Sequence, residues 1–173
     1  MTHGGARTRA QDAQQIIAQN RAATFHYAIS ERFEAGIVLR GSEVKSLREG
    51  GVQLKEAYAT VENGEVWLRQ LHIASFFAAR AFPHVEKGVR KLLLHAKEIR
   101  HLERAVEREG YALVPLDLHF RGGRVKVTLG LGRGRKAHDK RAVLREKTEE
   151  REALEEVRAR RDGGVVGARF RAR

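Results

Sequence analysis

The run Arg124-Val125-Lys126-Val127-Thr128-Leu129 sets two cations and a hydroxyl at alternate positions. In a strand, alternate side chains share a face, so Arg124, Lys126 and Thr128 stand together opposite Val125, Val127 and Leu129. Such a face suits phosphate oxygens, because each neutralised phosphate of a nucleic acid releases condensed counterions. A merely solvated outer face has the same pattern. Directly downstream, Gly130-Leu131-Gly132-Arg133-Gly134-Arg135-Lys136 interleaves glycine with apolar and basic residues. No βαβ pattern surrounds it and no Gly-Lys-Ser/Thr follows, so a nucleotide-cofactor loop is a poor match. It reads instead as a flexible basic hinge able to lie close to a phosphate backbone. Next comes His138-Asp139-Lys140-Arg141. In an enzyme, His beside Asp suggests general acid–base work, yet no nucleophile accompanies it. On an RNA-binding tail the same imidazole can stack on a base while the cations meet phosphates. Glu34 is the acidic residue that stands out. In a bent strand it can accept hydrogen bonds from base amino groups, or it can pair locally with Arg32 or Arg40. Glu43, Lys45 and Arg48 fall on a short helix, where charge reads as a solvated face.

Other chemistry finds little support. There is no cysteine, and the 8 histidines form neither H-E-x-x-H nor H-x-x-x-H, so no metal or cofactor is expected. Lys and Arg outnumber Asp and Glu by 34 to 22, a formal charge of +12. A charge that large self-repels, and a polyanionic partner relieves it. Met1 to Asp12 lack the apolar core of a signal peptide, and no run approaches the roughly 20 apolar residues of a membrane span. A cytoplasmic protein with no membrane or small-molecule partner is expected.

The elements that must position these residues follow from periodicity. Residues 1–12 are polar and read as disordered. A helix is expected from Asp12 to Gln19, with Asp12 as N-cap and Ile16 and Ile17 facing inward. Strand pattern runs from Thr24 to Leu39, with a bend or bulge at Phe33-Glu34-Ala35-Gly36. Ser42 reads as the N-cap of a short helix carrying Val44 and Leu47 and ending at Gly50-Gly51. Asn63-Gly64 supplies a type I′ hairpin turn between residues 58–61 and 66–68. A helix fits His95 to Glu109, with Ile99, Leu102 and Val106 on one face and Gly110 as its stop. A second hairpin pairs Leu116, Leu118 and Phe120 with Val125, Val127, Leu129 and Leu131 across Arg121-Gly122-Gly123. His119 then falls on a strand face, where it can contact RNA or, more often for such a residue, sit as a satisfied half-buried side chain. The fold class is mainly β with accessory helices (α+β): an OB-fold closed β-barrel over 13–134, with about three short helices. Residues 135–173 form a basic C-terminal tail, disordered or partly helical until it folds against something else, since it can bury little apolar surface.

Taken together, several stretches resemble the SsrA-binding protein (SmpB) family, the partners of transfer-messenger RNA. They are Asn20-Arg21, FEAGIVLRGSEVKSLREG (33–50), the NGE turn (63–65), RKLLLH (90–95), EREGYALVPLDLHF (107–120), RVKVTLGLGRGRK (124–136) and HDKR (138–141). The set is collinear over residues 20–141. The resemblance implies an OB-fold adaptor, not an enzyme, that binds the tRNA-like domain of transfer-messenger RNA and takes it to stalled ribosomes. It implies a tail in the vacant mRNA channel beside the small-subunit decoding centre and, by way of the charged RNA, elongation factor Tu as a further partner. It places Asn20, Arg21, Glu34, Lys45, Arg48, Arg90, Lys91, Leu93, Arg124, Lys126 and Thr128 on or beside the RNA surface, Leu93 shaping it. Arg133, Arg135, Lys136, His138, Asp139, Lys140 and Arg141 become the ribosome-facing tail, His138 stacking on a decoding-centre base. The family's Pro and Arg-x-Arg before the leucine run are altered here: Pro83 is displaced and Gly88 stands for the first arginine. His119 replaces a common tyrosine. Two alternatives use fewer of these residues. A generic OB-fold RNA chaperone or ribosomal protein needs neither Glu34 nor HDKR, and an RNA-modifying enzyme needs a nucleophile, metal cluster or cofactor loop.

Overall fold

The computed structural model describes residues 15–76 and 84–163. The chain divides after Gly134 into two compact units. In the first, the order is β1 (Gln15–Gln19), α1 (Arg21–His26), β2 (Tyr27–Ile37), α2 (Gly41–Arg48), β3 (Val52–Gln53), β4 (Tyr58–Glu62), β5 (Glu65–Arg69), β6 (His72–Ile73), β7 (Arg90–Leu93), α3 (Ala96–Glu109), β8 (Ala112–Arg121) and β9 (Arg124–Gly134). Seven strands form one sheet in the order β1-β8-β4-β5-β7-β2-β9, with β9 also paired to β8, and β3 and β6 form a separate pair. The fold is strand-rich α+β. The second unit holds α4 (Ala137–Gly163).

Period two builds the core. Val127, Leu129 and Leu131 are at most 1% exposed and Val125 is 8%, while Arg124, Lys126 and Thr128 point the other way, as alternation requires. Leu68, Leu71, Leu92 and Leu118 fill the same interior, and α3 adds Leu102 and Ala105 from its apolar stripe. Truncating a core leucine such as Leu129 to alanine costs about 2–5 kcal/mol. The β4–β5 turn is the I′ type expected, with Asn63 and Gly64 at φ of 52° and 72°. Gly110 ends α3 in the left-handed conformation.

Four local expectations are corrected. Residues 15–19 are the strand β1, not a helix, paired antiparallel with β8 from Gln15↔Phe120 to Gln19↔Asp117; residues 1–14 and Pro83 lie outside the described residues. The strand expected from Thr24 begins at Tyr27, because Asn20 caps the short helix α1: its Oδ1 accepts from the Ala23 N–H at 3.2 Å. The irregularity in β2 falls between Ile29 and Glu31, and Phe33–Gly36 run in register with β9. A further bulge in β8, between Pro115 and Asp117, sends Leu116 to a small second cluster with Ala23 and Val114; a one-residue insertion flips the face of the residues after it. Finally, α2 starts after Arg40, not Ser42. The Glu43 carboxylate accepts from the Arg40 N–H at 2.7 Å, and the Ser42 hydroxyl instead lies 3.1 Å from His84 Nδ1.

Gly130 and Gly132 are held within the sheet and do not serve as a hinge. A Cβ on Gly132 would sit 2.6 Å from the Ala28 carbonyl oxygen, and one on Gly130 would meet Ile29 and Leu116 at 3.0–3.1 Å. Gly132 lets β2 and β9 approach closely, and Gly130 leaves room for the Ile29 and Leu116 side chains. In the second unit, α4 runs unbroken from Ala137 to Gly163. Its Ala, Glu, Arg and Leu favour helix, Asp139 accepts from the Lys136 N–H at 3.2 Å in the first turn, and Arg151 reaches Glu155 at 3.6 Å one turn on. Leu144, Leu154 and Val157 remain exposed on it.

Candidate nucleic-acid interface

The outward faces of β2, β9 and β8 bring one cluster together. Glu34 pairs with Thr128 and Gly36 with Lys126 across β2–β9. Asp117 pairs with Thr128, His119 with Lys126 and Arg121 with Arg124 across β8–β9. Glu34 is the hub. Its Oε1 accepts from Lys126 Nζ at 2.9 Å, its Oε2 accepts from Arg121 Nη1 at 2.9 Å, and His119 Nε2 lies 3.3 Å from Oε2. The other ring nitrogen of His119 lies 2.7 Å from Asp117 Oδ1, which also accepts from the Thr128 hydroxyl at 2.9 Å. The hydrogen bond from Lys126 holds the Glu34 carboxyl down at about 2, with burial opposing and Arg121 assisting. Glu34 is therefore anionic throughout the physiological range.

This arrangement has a plain chemical capability. Lys126 and Arg121 are side by side, held at fixed positions by one carboxylate, with Arg124 exposed beside them. A carboxylate offers about four lone-pair sites, and Lys126 and Arg121 each donate to one oxygen of Glu34. Cations on a fixed spacing with an acceptor between them recognise a phosphate backbone and a base edge together.

The other expected residues divide. Lys126, Thr128 and Arg124 share the Glu34 face, whose partners are Arg121 and His119 and not Arg32 or Arg40. Leu93 is the cross-strand partner of Gly36 on the same face and is 54% exposed. Lys91 is on that face too, bound to Glu65. Arg21, Lys45 and Arg48 are exposed on α1 and α2, and the Lys45 ammonium lies 5.7 Å from the centre of the Phe76 ring. Arg133 is exposed at the end of β9, its guanidinium 4.5 Å over the Tyr111 ring. Arg135 and Lys136 precede α4, and His138, Asp139, Lys140 and Arg141 form its first turn.

Two of the residues expected on or beside the RNA surface are withdrawn from water. Arg90 is 4% exposed and cannot meet a phosphate. Its Nε donates to Glu43 Oε1 at 2.8 Å, and its other nitrogens donate to the carbonyls of Leu71, Gly88, Val85 and Glu86. Asn20, 8% exposed, is a strut: its Nδ2 donates to the Leu54 and Pro115 carbonyls at 3.2 Å each. Glu43, read as part of a solvated face, is buried at 6%. Asp117 and Arg121 were missed as site residues, and His119 is fully buried where a half-buried residue was expected. Their signal was present: period two from Lys126 across the hairpin puts Asp117, His119 and Arg121 on the cationic face.

A strand-rich α+β unit with a cation-bearing outer sheet face, followed by a helical basic tail, defines the class. The family model described as SmpB protein matches residues 17–159, and the chain belongs to that family. An SsrA-binding protein of Bacillus cereus (strain ATCC 10987 / NRS 248) is 48% identical over 145 residues, 84% of this chain and 94% of that one. One from Treponema denticola is 43% identical over 145 residues, with the same coverage of 84% and 94%. One from Mycobacterium sp. (strain KMS) is 48% identical over 149 residues, 86% of this chain and 89% of that one. Among solved structures, a chain from "tmRNA-SmpB: a journey to the center of the bacterial ribosome" superposes with a TM-score of 0.59 at 45% identity, covering 69% of this chain and 85% of that one.

Proposed function

We propose that this protein is a non-enzymatic adaptor of the cytoplasm that binds the tRNA-like domain of transfer-messenger RNA and delivers it to stalled ribosomes. The observation that carries the reading is the Glu34 hub, which presents Lys126 and Arg121 on one face of a chain whose relatives are SsrA-binding proteins. The sheet supports an OB-type barrel: because β9 pairs with both β2 and β8, the order β8-β4-β5-β7-β2-β9 returns on itself. Closure of that kind removes exposed edges and leaves an outer face for RNA. Arg133, Arg135, Lys136 and the HDKR turn at the start of α4 occupy the vacant mRNA channel, with His138 at the decoding site and elongation factor Tu engaged through the charged RNA.

Two experiments test this. In a titration with transfer-messenger RNA against a large excess of bulk tRNA, binding survives the competitor; its loss sinks the specific reading. Truncation after Gly134, or His138→Ala, leaves RNA affinity within about twofold while peptide tagging on stalled ribosomes stops, since base-stacking and channel contacts made only on the ribosome are removed. Equal loss of both activities contradicts the division of labour.

A further inference from the structure

Beyond Lys126 and Gly36 the same sheet face continues onto β7 and β5, and its chemistry changes. Lys91 stands at the centre of an apolar ring. Two residues away along the chain are Leu93 on the same strand and Val89 just before it, 54% and 51% exposed. Across one edge is Val38, 51% exposed, whose N–H donates to the Lys91 carbonyl at 3.0 Å. Across the other is Trp67, the cross-strand partner of Lys91, half-buried. The Lys91 ammonium is bound to the Glu65 carboxylate and lies 5.7 Å from the indole centre. On the far side of the indole, Arg69 donates to Thr60 and Glu62, Thr60 being the partner of Trp67 on β4.

A contiguous exposed apolar patch on a small protein marks a docking surface. Its occupant is set by what surrounds it. An apolar protein surface would have to bury Lys91 and Glu65, desolvating both charges. RNA does not: an unstacked base presents a flat face to an indole and a valine, and its phosphate offers an ammonium a better partner than a half-exposed carboxylate. The patch also runs without a break, through Leu93 and Gly36, into the Lys126 cluster.

We propose that Trp67, flanked by Val38 and Lys91, is a stacking platform for an unpaired base of the bound RNA, Lys91 passing from Glu65 to the adjacent phosphate as the base docks. This rests on the RNA-binding reading of the neighbouring cluster. Trp67 is the sole tryptophan of the chain, so its emission reports on the site alone. The full-length protein is titrated with the tRNA-like domain of transfer-messenger RNA, with filter retention measured in parallel. Emission is expected to quench saturably with the midpoint of filter retention. Trp67→Leu is expected to weaken RNA binding about five- to tenfold, the lower end of base–aromatic stacking, with Trp67→Phe restoring most of it at unchanged thermal midpoint. Full retention without any change in emission, or Trp67→Leu at wild-type affinity, overturns the platform and leaves the adaptor reading intact. Emission that moves only on adding elongation factor Tu or ribosomal protein assigns the patch to a protein and also overturns the platform. No retention of the RNA at all overturns both.

Discussion

Glu43 and Glu34, two of the glutamates that hold cations in the first unit, use them in opposite ways. Glu43 and Arg90 are withdrawn from water, with side chains 7% and 3% exposed, and the remaining guanidinium hydrogens go to main-chain carbonyls of the segment 85–88 and of Leu71. Glu34 and Lys126 keep 31% and 32% of their side-chain surface, and Arg121 keeps 51%. A withdrawn pair is a strut, because neither member can trade its partner for water without a large desolvation imbalance. A half-exposed cluster can trade partners, and a phosphate is a partner worth the exchange. Burial, and not the presence of an ion pair, separates the structural arginine from the lysine that can bind.

The largest effect expected tests the strut. Glu43→Ala leaves the Arg90 guanidinium buried without its counter-charge and is expected to cost about 3–5 kcal/mol in urea unfolding. Replacing both partners, as Glu43→Leu with Arg90→Met, is expected to recover much of that loss. If Glu43→Ala destabilises no more than Glu34→Ala, the comparison collapses.

Glu34→Ala is the matching change at the exposed cluster. A stability loss below about 1 kcal/mol is expected, as for other solvent-exposed pairs. Affinity for transfer-messenger RNA is expected to fall several-fold, because Lys126 and Arg121 lose their common anchor. Affinity for bulk tRNA is expected to hold or rise, because the net positive charge increases and non-specific binding is electrostatic. Equal loss for both RNAs would make Glu34 a structural residue after all.

The division between strut and interface was only half legible from sequence, for a physical reason. Features set by neighbours along the chain could be read: the Asn63-Gly64 turn, the amphipathic stripe of α3 and the alternation of Val125 to Leu131. Features set by distant partners could not. The Ile16-Ile17 segment becomes a strand only because β8, about a hundred residues on, offers it an edge. Gly130 and Gly132 look like hinge glycines until β2 lies against them. Arg90 sits in a basic motif, and its burial depends on Glu43, 47 residues earlier. Glu34 was singled out by chemistry, yet its partners Arg121 and Lys126 lie 87 and 92 residues away, farther than any local pairing rule reaches. The family resemblance named the Lys126 face without telling which of its residues touch RNA and which hold those that do.

Acid tests the exposed cluster through Glu34 itself. Glu34 in the folded chain titrates at about 2, below the ordinary 4.5. A lowered folded value means that the contribution of Glu34 to stability is fully present above the unfolded value, near 4.5, and is lost as pH falls toward 2. The stability difference between wild type and Glu34→Gln, followed by urea unfolding from pH 7 downward, is therefore expected to be constant to about pH 5 and to close below it. A difference that closes already between pH 7 and 5 would show that the cluster is held by a group other than Glu34.

The smallest effect concerns the lysine itself. Lys126→Ala removes one cation from the face while leaving the period-two packing of Val125, Val127 and Leu129 untouched. If Lys126 leaves Glu34 to neutralise a phosphate on binding, one fewer counterion is released. The slope of log K against log[salt] then becomes shallower by about 0.7–0.9. The loss is expected to be similar across RNAs that share the same backbone path, because a phosphate contact carries no base information. The slope also discriminates within the cluster. If Lys126 stays on Glu34 in the complex, the variant binds more weakly with the salt slope unchanged, and Arg121 or Arg124 is the residue that meets the phosphate. Repeating the measurement with Arg124→Ala then locates it, since only the cation that changes partner alters the slope.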